Sequence, residues 1–222
     1  MKITLPENIS EITLGQFQRY LKLLTRELSD IEFNKRKIAI FTKLPYRDIS
    51  KVSSVDFKEL LLQIDLALAT KAEFTNRFTL NDIEYGFIPN LDNISIGVHT
   101  SIGLFTKDLI PTEDESSLSL EKLTELQAER FKEIHKAMAV LFRPIEKKDA
   151  FGNYILEEYY GDERYDEVMK EMPLHVVSAA LVFFSSLANE LYNSIQRYTT
   201  QELLKETKHW NILRNGTGIQ VS

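Results

Sequence analysis

The chain has 222 residues, of which 43% are hydrophobic and 27% charged, and its formal net charge is -6 at pH 7. This composition is typical of folded globular proteins and excludes collagen-like, low-complexity and extensively disordered chains. It contains no cysteine, which excludes disulfide frameworks, thiolate catalysis and cysteine-ligated zinc or iron–sulfur sites. The negative charge argues against a protein whose main task is to neutralise nucleic-acid phosphates.

The length fits one domain with elaborations. We predict a single mainly helical domain over residues 1–205 and a C-terminal arm over 206–222. Within the domain we expect a helical part over 10–71, a hairpin over 74–91 and a second helical part over 119–205. The apolar stretch over 174–188 is shorter than the roughly 20 residues of a membrane span, so it predicts a buried helix. Polar residues close to the N-terminus predict that no cleaved signal peptide is present.

Three helix starts are visible in the first part of the chain. Thr13 stands three residues before Gln16, the spacing of a capping box in which each side chain satisfies the other residue's backbone N–H. Asp30 is the predicted cap of a second helix that ends before Pro45, and Ser53 the cap of a third. Together these amphipathic helices predict a small bundle.

The next segment changes to the period of a β-strand. Apolar and polar residues alternate over 77–87 on either side of Asn81-Asp82, a pair that tolerates left-handed turn geometry. The pattern predicts a β-hairpin. Residues 94–105 give no clear signal, and the polar, acidic stretch over 107–117 predicts an exposed loop.

Helical spacing returns at Ser119, where one long amphipathic helix is predicted to run until Arg143-Pro144. Residues 150–160 predict one strand or an arm, and a capped acidic helix follows from about Asp162. Pro173 is placed to start the longest helix, toward Leu204. The predicted fold is therefore α+β and predominantly α-helical, with about six helices, a β-hairpin and one further short strand.

Sequence signals of catalysis are weak. The four histidines are far apart and none has a metal-ligand spacing, and neither a nucleophile elbow nor a phosphate-binding loop is present. Paired carboxylates such as Glu157-Glu158 are typical of a solvated surface, and the basic run over 35–37 predicts a solvated helix face. We therefore predict no catalytic, metal-binding or cofactor-binding residues, no cofactor, no enzymatic activity and no specific nucleic-acid binding.

Charge and tyrosine are concentrated in one segment. Between Ile145 and Met172 there are 9 Asp and Glu against 4 Lys and Arg, a net of -5, together with four of the nine tyrosines. Tyrosine offers a large apolar face with a polar end, which suits protein interfaces. The segment is either a partner contact or a solvated edge whose tyrosines cover the core.

Two passages are more distinctive than generic helix. They are EYGFIPNLDNIS, over residues 84–95, and IHKAMAVLFRPI, over 134–145, the second followed by the tyrosine-rich acidic segment and a Met-Pro-Leu helix start. This succession, over roughly residues 74–195, resembles proteins of the virion-morphogenesis modules of tailed bacteriophages, including crAss-like and other phages of Bacteroidetes.

The resemblance implies a non-enzymatic assembly or structural protein made in the cytoplasm of an infected bacterium. In one role it is a virion component, a ring or adaptor subunit of the head-to-tail connector or tail barrel, whose partners are copies of itself and other tail or portal proteins. In the alternative it is a tail assembly chaperone that is absent from the mature particle. A small hydrolase or nuclease of the same phage is a third, weaker reading. None of these roles requires a membrane.

Candidate interface residues come from three places in the sequence. One set belongs to the apolar turn, which either contacts a partner or closes the core; the others belong to the acidic segment and the C-terminal arm. The residues are Tyr85, Phe87, Ile88 and Leu91, then Tyr159, Tyr160 and Tyr165, then Trp210 and Ile212.

Overall fold

A computed structural model describes residues 3–71, 73, 75–88, 95–106 and 117–183. The chain divides into two compact units, Met1–Ala180 and Leu181–Ser222, and only residues 181–183 of the second are described. The predicted boundary at residue 205, the loop over 107–116 and the helix beyond 183 lie outside the described residues.

The described residues confirm the predicted α+β class, in which helices predominate. They form nine α-helices rather than about six, and a four-stranded antiparallel sheet with the order β1-β2-β3-β4. The helices are α1 Leu14–Leu24, α2 Asp30–Thr42, α3 Tyr46–Ile49, α4 Ser54–Leu68, α5 Ile96–Thr106, α6 Leu120–Lys132, α7 Ile134–Leu141, α8 Asp166–Met169 and α9, described over 174–183. The strands are β1 Arg77–Leu80, β2 Ile83–Phe87, β3 Phe142–Lys148 and β4 Tyr154–Leu156.

The predicted capping box at the start of α1 is confirmed and has a second function. The Thr13 hydroxyl accepts from the backbone N–H of Gln16, and the side-chain amide oxygen of Gln16 accepts from the backbone N–H of Thr13. The amide nitrogen of the same buried Gln16 side chain donates to the carbonyl oxygens of Ile40 and Phe41, at 2.9 and 3.2 Å. One side chain thus caps the start of α1 and the end of α2.

Two of the other predicted helix starts are close to those observed. The cap of α2 is Ser29, whose hydroxyl accepts from the N–H of Glu32, so the prediction of Asp30 is wrong by one residue. Ser53 caps α4, as predicted. Since a cap acts over three residues, local sequence specifies it almost completely.

The predicted solvated basic face of α2 is wrong at Lys37. Its side chain is 7% exposed, and its ammonium pairs with Asp65 of α4 and lies 5.7 Å from the centre of the Tyr20 ring. The aliphatic part of lysine fills apolar space while its charge reaches a carboxylate. This ion pair connects α2 to α4.

The sheet contains the predicted hairpin. Asn81 and Asp82 have φ values of 51° and 61°, and Phe78 pairs with Tyr85 across the turn. One further strand was predicted, whereas two are present, because the chain enters β3 directly from α7 at Phe142. Pro144 ends the helical pattern there, but an extended strand accommodates a proline. Its carbonyl oxygen accepts a hydrogen bond from the backbone N–H of Glu157.

The predicted single helix from Ser119 is divided in two. Glu133, with φ -108° and ψ 8°, separates α6 from α7. Gln18 of α1 donates to the carbonyl oxygens of Phe131 and Lys132 at this break, at 2.8 and 3.1 Å. A contact distant in sequence therefore compensates for hydrogen bonds that the interruption removes.

Candidate interaction surfaces

The described residues of the predicted apolar turn lie in the core. Tyr85, Phe87 and Ile88 are 1%, 5% and 5% exposed, and the Tyr85 ring stacks on Phe78 at 5.2 Å between ring centres. Burial in the core of the described unit favours the alternative weighed from the sequence, and the role of these three residues as partner contacts stays a prediction. That alternative was closure of the core by the turn. Leu91 lies outside the described residues.

The tyrosine-rich segment is a compact cluster around Arg164. The Arg164 guanidinium lies over the Tyr160 and Tyr165 rings, at 5.4 and 5.6 Å from their centres. It also pairs with Glu157 at 3.1 Å and Asp162 at 2.5 Å. Part of the acidic charge of the segment is therefore balanced within the segment itself.

The three predicted tyrosines of this segment differ in accessibility. Tyr160 is 66% exposed, whereas Tyr159 and Tyr165 are half-buried. The Tyr159 hydroxyl donates to the Ser101 hydroxyl at 3.0 Å, and the Tyr165 hydroxyl donates to Glu157. Burial of the phenol, followed by this hydrogen bond to a carboxylate, raises the pKa of Tyr165 to about 12. Of the three, Tyr160 retains the largest surface for a partner.

An apolar stripe runs along the outer face of α4. Val55, Leu62 and Leu66 are 72%, 56% and 54% exposed, and their spacing places them on one face of the helix. The opposite face carries Leu60 and Ile64, which are buried where α4 packs on α2. The sequence contained a signal for this stripe, because the apolar residues of α4 occupy more than one face.

A single aromatic side chain projects from the turn between β3 and β4. Phe151 is 93% exposed. The Asp149 carboxylate accepts from the N–H groups of Phe151 and Asn153, both at 2.8 Å, and from the Asn153 amide at 2.7 Å. Gly152, with φ 86°, completes the turn in a conformation that favours glycine. These hydrogen bonds fix the backbone of the turn from which the Phe151 side chain projects.

A groove of 1120 Å³ lies among α1, α6, α7 and the α8 region. Five lysines and arginines and five glutamates line it, and several of these charges form ion pairs, such as Lys136–Glu133 at 2.9 Å. His135, one of the lining residues, is buried, which lowers its pKa, and its Nδ1 lies 3.2 Å from the Gln18 amide nitrogen. The balanced charge gives the groove no preference for ligands of one sign.

Within the described part of the chain, no group of three or more His, Cys, Asp or Glu residues is arranged to hold a metal ion. Nor is any helix there long and apolar enough to cross a membrane. Trp210 and Ile212 lie outside the described residues, so their predicted role stays a prediction.

No protein-family model, curated protein sequence or solved structure matches the chain. A function for this chain is therefore inferred from its fold, from these surfaces and from its sequence motifs.

Proposed function

We propose that the protein is a structural subunit of a tailed-phage virion, a ring or adaptor in the head-to-tail connector or tail barrel. It would assemble in the bacterial cytoplasm with copies of itself and with other tail or portal proteins, and it would catalyse no reaction. The observation that carries the proposal is the exposure of apolar side chains on two ordered elements, the α4 stripe and the β3–β4 turn.

These two surfaces favour assembly because the free energy falls when a partner covers exposed apolar groups of this size. Burial of one large apolar side chain contributes about 1.5–3 kcal/mol. The surfaces also differ from each other, one being a helix face and the other the tip of a hairpin. Rings are built from unlike patches of this kind, each meeting the other patch on the neighbouring subunit.

The tyrosine-rich segment supplies a third candidate contact. Tyr160 is exposed, and its ring is held against Arg164, so little conformational freedom remains to be lost on binding. The resemblance of residues 74–195 to phage morphogenesis proteins supports the same role. The resemblance gives the proposal its biological setting.

An assembly chaperone remains the second candidate function, and the α4 stripe favours it specifically. A helix with an apolar outer face offers a site for an amphipathic segment of a client protein. A chaperone would release this client and would be missing from the finished particle.

Mass spectrometry of purified particles separates the two functions. Peptide counts should be scaled to the major capsid protein, and infected-cell lysate should be measured in parallel. We expect this protein in particles at a fixed copy number that matches a ring. Abundance in lysate with absence from particles would refute the virion role and leave the chaperone.

A further inference from the structure

We infer that protonation of His135 releases α6 from α1, so that this helix opens in mild acid while α7 stays packed. The contact concerned joins the side chains of Gln18 and His135 at the break between α6 and α7. The property belongs to the folded chain itself and does not depend on the proposed function.

The Gln18 amide nitrogen has three hydrogen-bond acceptors around it. It donates to the carbonyl oxygens of Phe131 and Lys132, at 2.8 and 3.1 Å, and it lies 3.2 Å from the Nδ1 of His135. A reversed amide would place its oxygen against the two carbonyl oxygens, so the nitrogen must face them. An amide nitrogen only donates, so Nδ1 accepts from Gln18. The imidazole is therefore neutral, with its proton on Nε2.

A proton on Nδ1 makes these contacts incompatible. Nδ1 and the Gln18 nitrogen are then both donors at hydrogen-bond distance from each other. If the Gln18 amide turns over, its oxygen accepts from the imidazolium but faces the carbonyl oxygens of Phe131 and Lys132. Gln18 thus holds the end of α6 only while His135 is neutral.

The two helices that meet at the break differ in burial. None of the thirteen residues of α6 is buried, whereas seven of the eight residues of α7 are. The contact of α6 with α1 includes the half-buried Phe131, whose ring centre lies 5.2 Å from that of Phe17. Local opening requires the least free energy where little apolar surface is buried. Loss of the Gln18 hydrogen bonds therefore opens α6 rather than α7.

Charged groups of both signs line the groove beside His135. The cations are Arg19, Lys22, Lys132, Lys136 and Lys170. The anions are Glu125, Glu129, Glu133, Glu167 and Glu171. Lys170 and Lys136 oppose a proton on the ring, whereas Glu133 and Glu167 favour it. The helix α5, which also packs on α7, contains His99 as its one titratable residue. Because these charges oppose one another, burial is the main influence on the ring.

Burial lowers the pKa of His135, and the contact with Gln18 belongs to the neutral form. A histidine released from these surroundings takes up a proton at its ordinary pKa of about 6.5. The closed position of α6 therefore keeps its full stability above that pH and loses it as the pH falls through the lowered pKa. Hydrogen bonds from Lys136 and Lys170 lower the pKa of Glu133 and Glu167, so both carboxylates stay ionised over this range.

Hydrogen exchange followed by mass spectrometry measures this opening in the full-length chain. Peptides from α6 and α7 are compared from about pH 7.5 to about pH 5, on either side of the ordinary histidine pKa. Each rate is divided by that of an unstructured chain at the same pH, because the chemical exchange rate itself depends on pH. We expect the protection of α6 to fall at least about five-fold, the effect of one net hydrogen bond. The protection of α7 should stay nearly constant.

Three kinds of variant assign the response to the Gln18–His135 contact. His135→Asn keeps an acceptor close to the position of Nδ1 but does not titrate, so α6 should stay protected at the acid end of the series. His99→Asn and His175→Asn are matched controls in which the response should remain; burial lowers the pKa of His175 as well. Gln18→Leu removes the contact, so the protection of α6 should be low and independent of pH.

Three results would overturn the inference. They are protection of α6 that does not change with pH in the natural chain, an equal loss of protection in α6 and α7, and an acid response that persists in His135→Asn or Gln18→Leu. The first two results are read from the natural chain, so the inference stays testable even if a variant fails to fold.

Discussion

Gln16 offers a sharp test of how the helices are held together. Its amide oxygen serves the capping box of α1, while its amide nitrogen donates to Ile40 and Phe41 at the end of α2. Gln16→Glu keeps the oxygen and removes the nitrogen. Local rules predict a neutral or slightly stabilising change, because glutamate suits this position of a capping box and the N-terminus of a helix.

The tertiary contacts predict the opposite sign. Two carbonyl oxygens lose their donor, and a carboxylate oxygen takes the place of the amide nitrogen beside them. Each unsatisfied buried group costs about 1–3 kcal/mol, so we expect a loss of about 3 kcal/mol in the free energy of unfolding. For a domain of this size that corresponds to a fall in Tm of about 6–12 °C.

Urea unfolding followed by circular dichroism measures this loss, with Thr13→Ala as the comparison. That variant removes only the cap hydroxyl and should cost about 1 kcal/mol. The penalty of Gln16→Glu, relative to the natural protein, should shrink near about pH 4, because burial raises the pKa of the new carboxyl and its protonated form can donate again. A loss no larger than that of Thr13→Ala would refute the reasoning.

Three further substitutions follow from individual contacts. Gly86→Ala places a methyl group 2.6 Å from the ring of Tyr154, so we expect a loss of about 1–3 kcal/mol in thermal or urea unfolding; a similar loss in a Tyr154→Ala background would contradict that cause. Asp65→Asn leaves the buried ammonium of Lys37 unpaired and should cost about 1–3 kcal/mol, less than for a fully buried pair because Asp65 is 58% exposed. Lys37→Met removes the buried charge itself and should be nearly neutral; equal losses for these two variants would show that the pair itself stabilises the fold. In an ultraviolet titration, the signal lost in Tyr165→Phe should belong to a phenol with a pKa of about 12. Because folding raises this pKa, the stabilisation from the hydrogen bond between Tyr165 and Glu157 is fully present below about pH 10, the pKa of an unfolded tyrosine. It is lost as the pH rises through 12. A Tyr165 phenol that titrated near pH 10 would contradict this part-buried hydrogen bond.

Local sequence signals were sufficient to predict the features that are stabilised by contacts between residues close together in the chain. The capping box at Thr13 and the cap at Ser53 act within one turn of helix, and the left-handed turn at Asn81-Asp82 depends on those two residues. The period of two on either side of that turn predicted the hairpin. The α+β class follows from adding such signals along the chain.

The proposed site was harder to predict, since exposure depends on what the rest of the chain covers. Tyr85 in the apolar turn resembles an interface residue in sequence, yet it lies in the core. Asp149 and Gly152, on either side of Phe151, are typical turn residues, but they do not predict that its ring is exposed. Its position follows from the pairing of β3 with β4, which sends the turn away from the sheet.

The sequence by itself determined where several helices begin, where the hairpin turns and that the class is α+β, because caps and turns are decided within about four residues. Only the tertiary structure decided that Gln18 of α1 stabilises the break between α6 and α7, and that Lys37 is buried against Asp65. It also decided which apolar residues remain in water. Such outcomes depend on contacts between residues far apart in the chain, and no local pattern encodes them.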